Sequence, residues 1–186
     1  MKVVCIVQAR LGSTRFPNKV LKKIGNKTLI EVLLSRIKKS KYIDQIILAT
    51  SNTFLDSKLA NLIKFLGFDV FKGNHKNVLE RYYLAAKKYE ADLIVRITGD
   101  CPLVDPNLID KMIKTFKKNN YDYISNTLTP TYPDGLDVEV FSFNTLKKSY
   151  LNSKTPMQKE HVTPYMYQSG RFKIFNQKGI KDYSKF

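Results

Sequence analysis

A chain of 186 residues with 43% hydrophobic content suits one α/β domain with a sizeable core and is too apolar for a disordered one. No run approaches the roughly 18 apolar residues of a membrane span, and the first apolar stretch is too short, and too soon followed by charge, for a secretion signal. The net charge of +16 raises nucleic-acid binding, but 26 Lys stand against 6 Arg, and the lysines fall in scattered pairs such as Lys38-Lys39, Lys87-Lys88 and Lys117-Lys118. Such pairs suit helix C-termini and solvated faces rather than one nucleic-acid surface.

The elements alternate. Lys2 to Gln8 is a continuous apolar run and predicts a buried parallel strand. From Thr28 to Ser40 the apolar residues share a face, and Thr28 with Glu31 makes a capping box. Gln45 to Thr50 predicts a second buried strand, and Leu55 to Leu66 a helix stopped by Gly67. Phe68 to Phe71 is a short strand, Asn77 caps a third helix, and Asp92 to Thr98 is another buried strand. Asp105 caps a fourth helix with Pro106 at its first position.

Beyond this helix the rhythm changes. Tyr121 to Ser125 predicts a strand, and Leu136 to Phe143 alternates apolar with acidic residues, as a half-buried strand does. A short helix, a helical stretch opened by Glu160-His161 and interrupted by Pro164, and a strand from Phe172 to Phe175 follow. Without repeat or linker, one domain spans 1–186, and strands joined by helical crossovers predict an α/β fold built as a three-layer α/β/α sandwich.

In open parallel sheets ligands lie beyond the carboxyl ends of the strands. Three such ends carry notable residues here: Gln8-Ala9-Arg10 with the loop LGSTRFPNK, Ala49-Thr50-Ser51, and Thr98-Gly99-Asp100-Cys101-Pro102. In the first loop Gly12 lets backbone approach a ligand, the amides of Leu11, Gly12 and Ser13 can form an anion nest, and Arg15 and Lys19 can neutralise phosphates. It lacks the second glycine of a Walker A element. Asp100, set directly after a buried strand, suits either a Mg²⁺ ligand or a turn cap. Asp134, Asp137 and Glu139 form an acidic cluster. Asp137 and Glu139 share a strand face and suit either a second metal and acceptor hydroxyls or plain solvent. His161 is an acceptor contact or a structural histidine. Arg36 and Arg96 are also readable as structural ion pairs. Cys101 has no nearby base in sequence, which argues against a catalytic thiol, and with two cysteines making no disulfide framework a reduced cytoplasmic protein is expected.

The segments VQARLGSTRFPNKVL, ILATS, VLERYYLAA, DLIVRITGDCPLVDP, YISNTLTPTYPDGLDVEVF and EHVTPY resemble the cytidylyltransferases of surface-polysaccharide biosynthesis, specifically the spore coat polysaccharide biosynthesis protein F-like group, with CMP-sialic acid and CMP-Kdo synthetases as more distant relatives. The resemblance implies a Rossmann-like nucleotide-diphospho-sugar transferase fold with a mostly parallel sheet, a homodimer, and CMP transfer from CTP to an acidic or phosphorylated sugar with release of pyrophosphate. It assigns Arg15, Lys19 and Asp100 to catalysis, and Gln8, Ala9, Arg10, Leu11, Gly12, Ser13, Ala49, Thr50, Ser51, Arg81, Thr98 and Gly99 to the nucleotide. Asp134, Asp137, Glu139 and His161 are left to the acceptor, Mg²⁺ goes to Asp100, with Asp137 as a further ligand, and residues 121–175 form the acceptor and dimerisation part. The relatives run some dozens of residues further, to a strand ending in a metal-binding aspartate. A truncated chain, a substitute charge from Asp137 and Glu139, or an absent second metal site each accounts for that, and truncation is the expectation. Two rivals are a nucleotide-sugar-dependent glycosyltransferase, which usually shows a D-x-D motif that Asp100-Cys101-Pro102 is not, and a basic nucleic-acid-binding module, which predicts steeply salt-dependent binding.

Overall fold

The computed structural model describes residues 1–12 and 16–185. The expectations placed on Ser13 and Arg15 therefore lie outside the described residues. The chain runs β1 (Val3–Gln8), a 3₁₀ turn (Lys19–Leu21), the hairpin β2 (Lys23–Ile24) and β3 (Lys27–Thr28), α1 (Leu29–Ile37), β4 (Gln45–Ser51), α2 (Ser57–Phe65), β5 (Asp69–Gly73), α3 (Val78–Lys88) and β6 (Leu93–Thr98). It continues through α4 (Pro106–Lys118), β7 (Tyr123–Ser125), β8 (Glu139–Ser142), α5 (Phe143–Asn152), α6 (Pro156–His161), α7 (Pro164–Gln168) and β9 (Ile174–Asn176).

The caps foreseen from sequence are in place. Thr28 and Glu31 make the reciprocal capping box of α1, the Asn77 side chain accepts from the Glu80 amide at the start of α3, and Asp105 accepts from Asn107 N ahead of Pro106 in α4. Gly67, at φ +81°, ends the α2 region in the left-handed conformation that glycine adopts without steric cost.

One seven-stranded sheet has the order β5-β4-β1-β6-β8-β7-β9. β1 pairs in parallel with β4 on one side and β6 on the other, while β8 runs antiparallel to both of its neighbours, β6 and β7. Alternate residues of β1 feed two separate cores. Val3, Cys5 and Val7 pack with α1, α2 and α4, whereas Val4 and Ile6 pack with α3, Leu146 of α5 and Met166 of α7. Period-two alternation of a strand buried on both faces thus builds the three-layer sandwich. No helix among the described residues is long and apolar enough to cross a membrane.

Three expectations are corrected. The strand foreseen over 136–143 is shorter, Glu139–Ser142, and its first three residues are buried, because β8 is an interior strand flanked on both sides. Its acidic alternation signals a neutralised internal charge rather than a wet face. Glu160 and His161 close α6 instead of opening a helix, since Thr155 caps it and Pro156 takes its first turn. Among the described residues Arg36 makes no ion pair, and its Nε donates instead to the Val104 carbonyl at 2.8 Å. The β2–β3 hairpin is an addition, too short for any hydrophobic period to announce.

Candidate active site

The order of the sheet places a switch point at β1: the chain leaves it toward β4 on one side and returns as β6 on the other. The loops beyond the carboxyl ends of β1 and β6 are held in close register there. Gln8 stands opposite Thr98, and the Gly99 amide donates to the Gln8 carbonyl at 2.7 Å. A side chain at position 99 would put its Cβ 2.7 Å from the Ala9 Cβ and 3.0 Å from the Gln8 carbonyl oxygen. Glycine there is demanded by close approach of two backbones. Gly99→Ala is therefore expected to cost about 1–3 kcal/mol of stability, the scale of overpacking, and chemical denaturation measures it.

The β1 loop folds back on itself, with Asn18 N donating to the Leu11 carbonyl at 3.1 Å. Asn18 adopts a left-handed φ of 56° and starts the 3₁₀ turn that carries Lys19. This turn delivers the Lys19 Nζ to the Asp100 carboxylate at 2.5 Å, joining the ends of two different strands across 81 residues of sequence. Partial desolvation works against the Asp100 charge, but hydrogen bonds from Lys19 and Thr98 outweigh it and hold the carboxyl below its usual range. Asp137 behaves oppositely: burial first, then the carboxylates of Asp134, Glu139 and Asp100, raise it. Asp100 is thus one of three carboxylates whose charge acts on Asp137, with Arg96 opposing them.

Two cavities open here. One, of about 390 Å³, is lined by Gln8, Ala9, Arg10, Lys19, Gly99 and Asp100, among others. The second, of about 570 Å³, is lined by Asp137, Glu139, Met157, Pro164 and Tyr167, among others. Arg96, Thr98 and His161 belong to both walls, so the two form one continuous cleft. Its floor is a buried ion pair that the register dictates, since Arg96 and Glu139 are direct cross-strand partners of β6 and β8. The Arg96 guanidinium donates to Glu139 Oε2, Tyr123 Oη donates to Glu139 Oε1 at 2.5 Å, and Arg96 stacks over the Tyr82 ring at 5.9 Å. Burial works against the Arg96 charge, yet Glu139 and the neighbouring tyrosines more than offset it and raise the group. Burial and Glu139 likewise push the Tyr123 hydroxyl well up. Cys101 lies beside Asp100 with its thiol pushed up to about 11 by burial, so it stays protonated at neutral pH and is no nucleophile.

The structure gathers Gln8, Ala9, Arg10, Lys19, Thr98, Gly99 and Asp100 on one side of this cleft and Asp137, Glu139 and His161 on the other. Asp134 stays outside the walls, exposed, its carboxylate bonded to the Gly135 amide. Leu11 is buried behind the loop and Gly12 is exposed in it. Ala49, Thr50 and Ser51 are fully buried at the end of β4. Arg81 is also buried, 1% exposed, with its guanidinium donating to the Asn74 carbonyl at 3.0 Å. Thr50 Oγ1 and Arg81 Nε have no hydrogen-bond partner among the described residues. Sequence reasoning left Arg96 undecided and missed Asp56 altogether. A strand arginine and a helix-capping aspartate look ordinary until their cross-chain partners are known.

Against known proteins, the cytidylyltransferase family model matches residues 4–185. The chain belongs to the cytidylyltransferase family. Members are CTP-dependent nucleotidyltransferases, and the Rossmann-like sandwich described above is their fold. This cytidylyltransferase is 48% identical over 176 residues to an uncharacterised protein of Methanocaldococcus jannaschii, covering 94% of the chain and 71% of that protein. It is 37% identical to the spore coat polysaccharide biosynthesis protein SpsF of Bacillus subtilis, over 88% of the chain and 69% of that protein. A solved cytidylyltransferase from Leptospira borgpetersenii superposes with a TM-score of 0.96 at 35% identity, covering 100% of this chain and 79% of that one.

Proposed function

We propose that this cytidylyltransferase transfers CMP from CTP to an acidic or phosphorylated sugar, for a surface polysaccharide or related glycan, releasing pyrophosphate. One observation carries the reading: Lys19 and Asp100, cation and carboxylate from different strand ends, meet at 2.5 Å in the wall of a cleft whose second half is lined by Asp137, Glu139 and His161. A nucleotidyl transfer needs two adjoining seats, one for each substrate, and charge control where they meet.

CTP would occupy the half lined by Gln8, Ala9, Arg10 and Lys19, and the acceptor the half lined by Asp137, Glu139 and His161. An acceptor oxygen attacks the α-phosphorus in line with the departing pyrophosphate, a reaction that depends on positioning and charge neutralisation more than on covalent help. Lys19, released from Asp100 as the phosphates arrive, compensates the charge growing on the leaving group. Gly99 lets the ends of β1 and β6 close up beside this seat. Ala49, Thr50, Ser51 and Arg81 would act from beneath the nucleotide. The donor set fits a hard divalent cation: Asp100 and Asp137 are oxygen ligands that repel one another, and Mg²⁺ takes one or two protein carboxylates and keeps its waters. When bound on Asp100, with Asp137, the ion would supply further neutralisation of the phosphates.

The pairing with a second copy is proposed for the 121–175 part, where β9 ends the sheet order and Leu151 and Ile174 are exposed. The reaction is placed in the cytoplasm, in keeping with two free, buried cysteines.

A thermal-shift screen of the four ribonucleoside triphosphates tests the nucleotide. CTP with Mg²⁺ is expected to raise the melting temperature more than ATP, GTP or UTP, because ligand bound to the native state stabilises it by mass action. Equal shifts from all four, or none, would count against a cytidine seat. Pyrophosphate release from CTP, followed over a panel of acidic and phosphorylated sugars, identifies the acceptor.

A further inference from the structure

Asp56 is a buried carboxylate, 1% exposed, that the transfer reaction does not use. It stands at the N-cap of α2, where its carbonyl accepts from the Ala60 amide at 3.0 Å, yet its side chain makes no capping bond to that helix among the described residues. Its two oxygens go elsewhere. Oδ1 accepts from the Leu11 amide at 2.7 Å, across 45 residues of sequence, and Oδ2 accepts from the Ser51 hydroxyl. Ser51 spends its proton on a carboxylate that can only accept, so Thr53 Oγ1, 2.8 Å away, must donate to Ser51 Oγ. Donation therefore runs from Thr53 to Ser51 to Asp56 on one side and from the Leu11 amide on the other, and both converge on the Asp56 carboxylate. It ties the loop after β1 to the end of β4. Leu11 directly follows Arg10, which lines the cleft, and Ser51 closes the strand next to β1. The same carboxylate favours the charge of buried Arg81, which burial, the largest influence, and Arg10 oppose.

We propose that Asp56 is a positioning residue of the nucleotide seat, fixing the β1 loop against β4 through the Leu11 amide and the Ser51 hydroxyl. The inference rests on the placement of CTP proposed above. Asp56 itself touches no substrate. An alanine there leaves the Leu11 amide buried without an acceptor, and the loop then gains solvent only by moving away.

The test compares Asp56→Ala with Asp110→Ala. Asp110 is a matched strut, 9% exposed, which holds Ser40 Oγ at 2.5 Å and the Lys41 amide at the opposite end of the sheet. Calorimetric titration with CTP and Mg²⁺ is read beside the melting temperature of each variant. Asp56→Ala is expected to weaken CTP roughly ten- to hundredfold, Asp56→Asn to recover most of that, and Asp110→Ala to bind as the unchanged protein does at a similar loss of melting temperature. CTP bound normally by Asp56→Ala, or weakened equally by Asp110→Ala, would overturn the proposal. If Asp56→Ala does not fold, Ser51→Ala replaces it, with a weakening of roughly three- to tenfold expected and an unchanged affinity counting against the idea. Should the unchanged protein bind no CTP, the functional reading fails by itself. Amide exchange then decides on Asp56 alone: faster exchange at Leu11 in Asp56→Ala, with the interior of β1 unaffected, supports the strut, and unchanged exchange removes it.

Discussion

Asp100→Asn is expected to slow pyrophosphate release from CTP by about a hundredfold or more while leaving the fold intact, the scale on which one charge-stabilising group acts in a transition state. The two consequences separate because of where the residue sits. Asp100 is paired with Lys19, but their side chains remain 46% and 26% exposed, and a pair that open contributes roughly 0–1 kcal/mol to folding. Stability should thus barely change. Function should change greatly, since asparagine keeps the shape of the side chain and loses the charge that Lys19 and a divalent cation answer to. Lys19→Met is expected to follow the same pattern from the other partner. Steady-state pyrophosphate release with an accepted sugar measures the rate, and the gain in CTP affinity on adding Mg²⁺ gives an independent reading, which the asparagine variant should lose. A variant releasing pyrophosphate at the unchanged rate would remove Asp100 from the mechanism.

The Arg96–Glu139 pair inverts that balance. Arg96→Met is expected to lower the free energy of unfolding by about 3–5 kcal/mol, because it strands a charge in the interior. For a domain of this size that corresponds to a fall in melting temperature of roughly 6–20 °C. The pair qualifies as buried: the side chains are 12% and 8% exposed, both lie on interior strands, and Tyr123 already occupies the other carboxylate oxygen. The double variant Arg96→Met, Glu139→Gln should recover much of the loss, since removing both charges removes the desolvation cost with them. Denaturant titration of the two singles and the double gives the coupling energy directly. Singles that lose no more than about 1 kcal/mol would mean that the pair is solvated as a surface pair is. Because Arg96 lines both halves of the cleft and Glu139 the second, the double variant also shows whether the pair serves the fold alone: a stable protein with reduced turnover would assign it a part in the site.

Much of the scaffold was legible in advance for physical reasons that act locally. Short, β-branched-rich apolar runs such as Val3–Gln8 suit strands covered on both faces, and side chains at Thr28, Asn77 and Asp105 announce helix starts because they bond their own backbone a few residues on. The meeting of loops after the first and fourth predicted strands was legible too, since the carboxyl ends of parallel strands lie at one edge of the sheet. Where reading failed, the cause was a partner distant in sequence. Glu139 was readable equally as a metal or acceptor ligand and as the wet side of a half-buried strand, and its pairing with Arg96, 43 residues away, was foreseen by neither. Asp56 drew no reading at all until its oxygens were found on Leu11 and Ser51.

The order of elements, the alternation that feeds two cores, and the set of residues able to carry phosphate chemistry were therefore determined by the sequence itself, through periodicity, capping and the chemistry of side chains at strand ends. Only the tertiary structure decided that β8 enters the sheet antiparallel between β6 and β7, that Lys19 reaches Asp100, and which charges are buried together. Those outcomes depend on register between strands and on the loss of water around paired groups. Both arise when distant segments pack, and no local stretch of chain contains them.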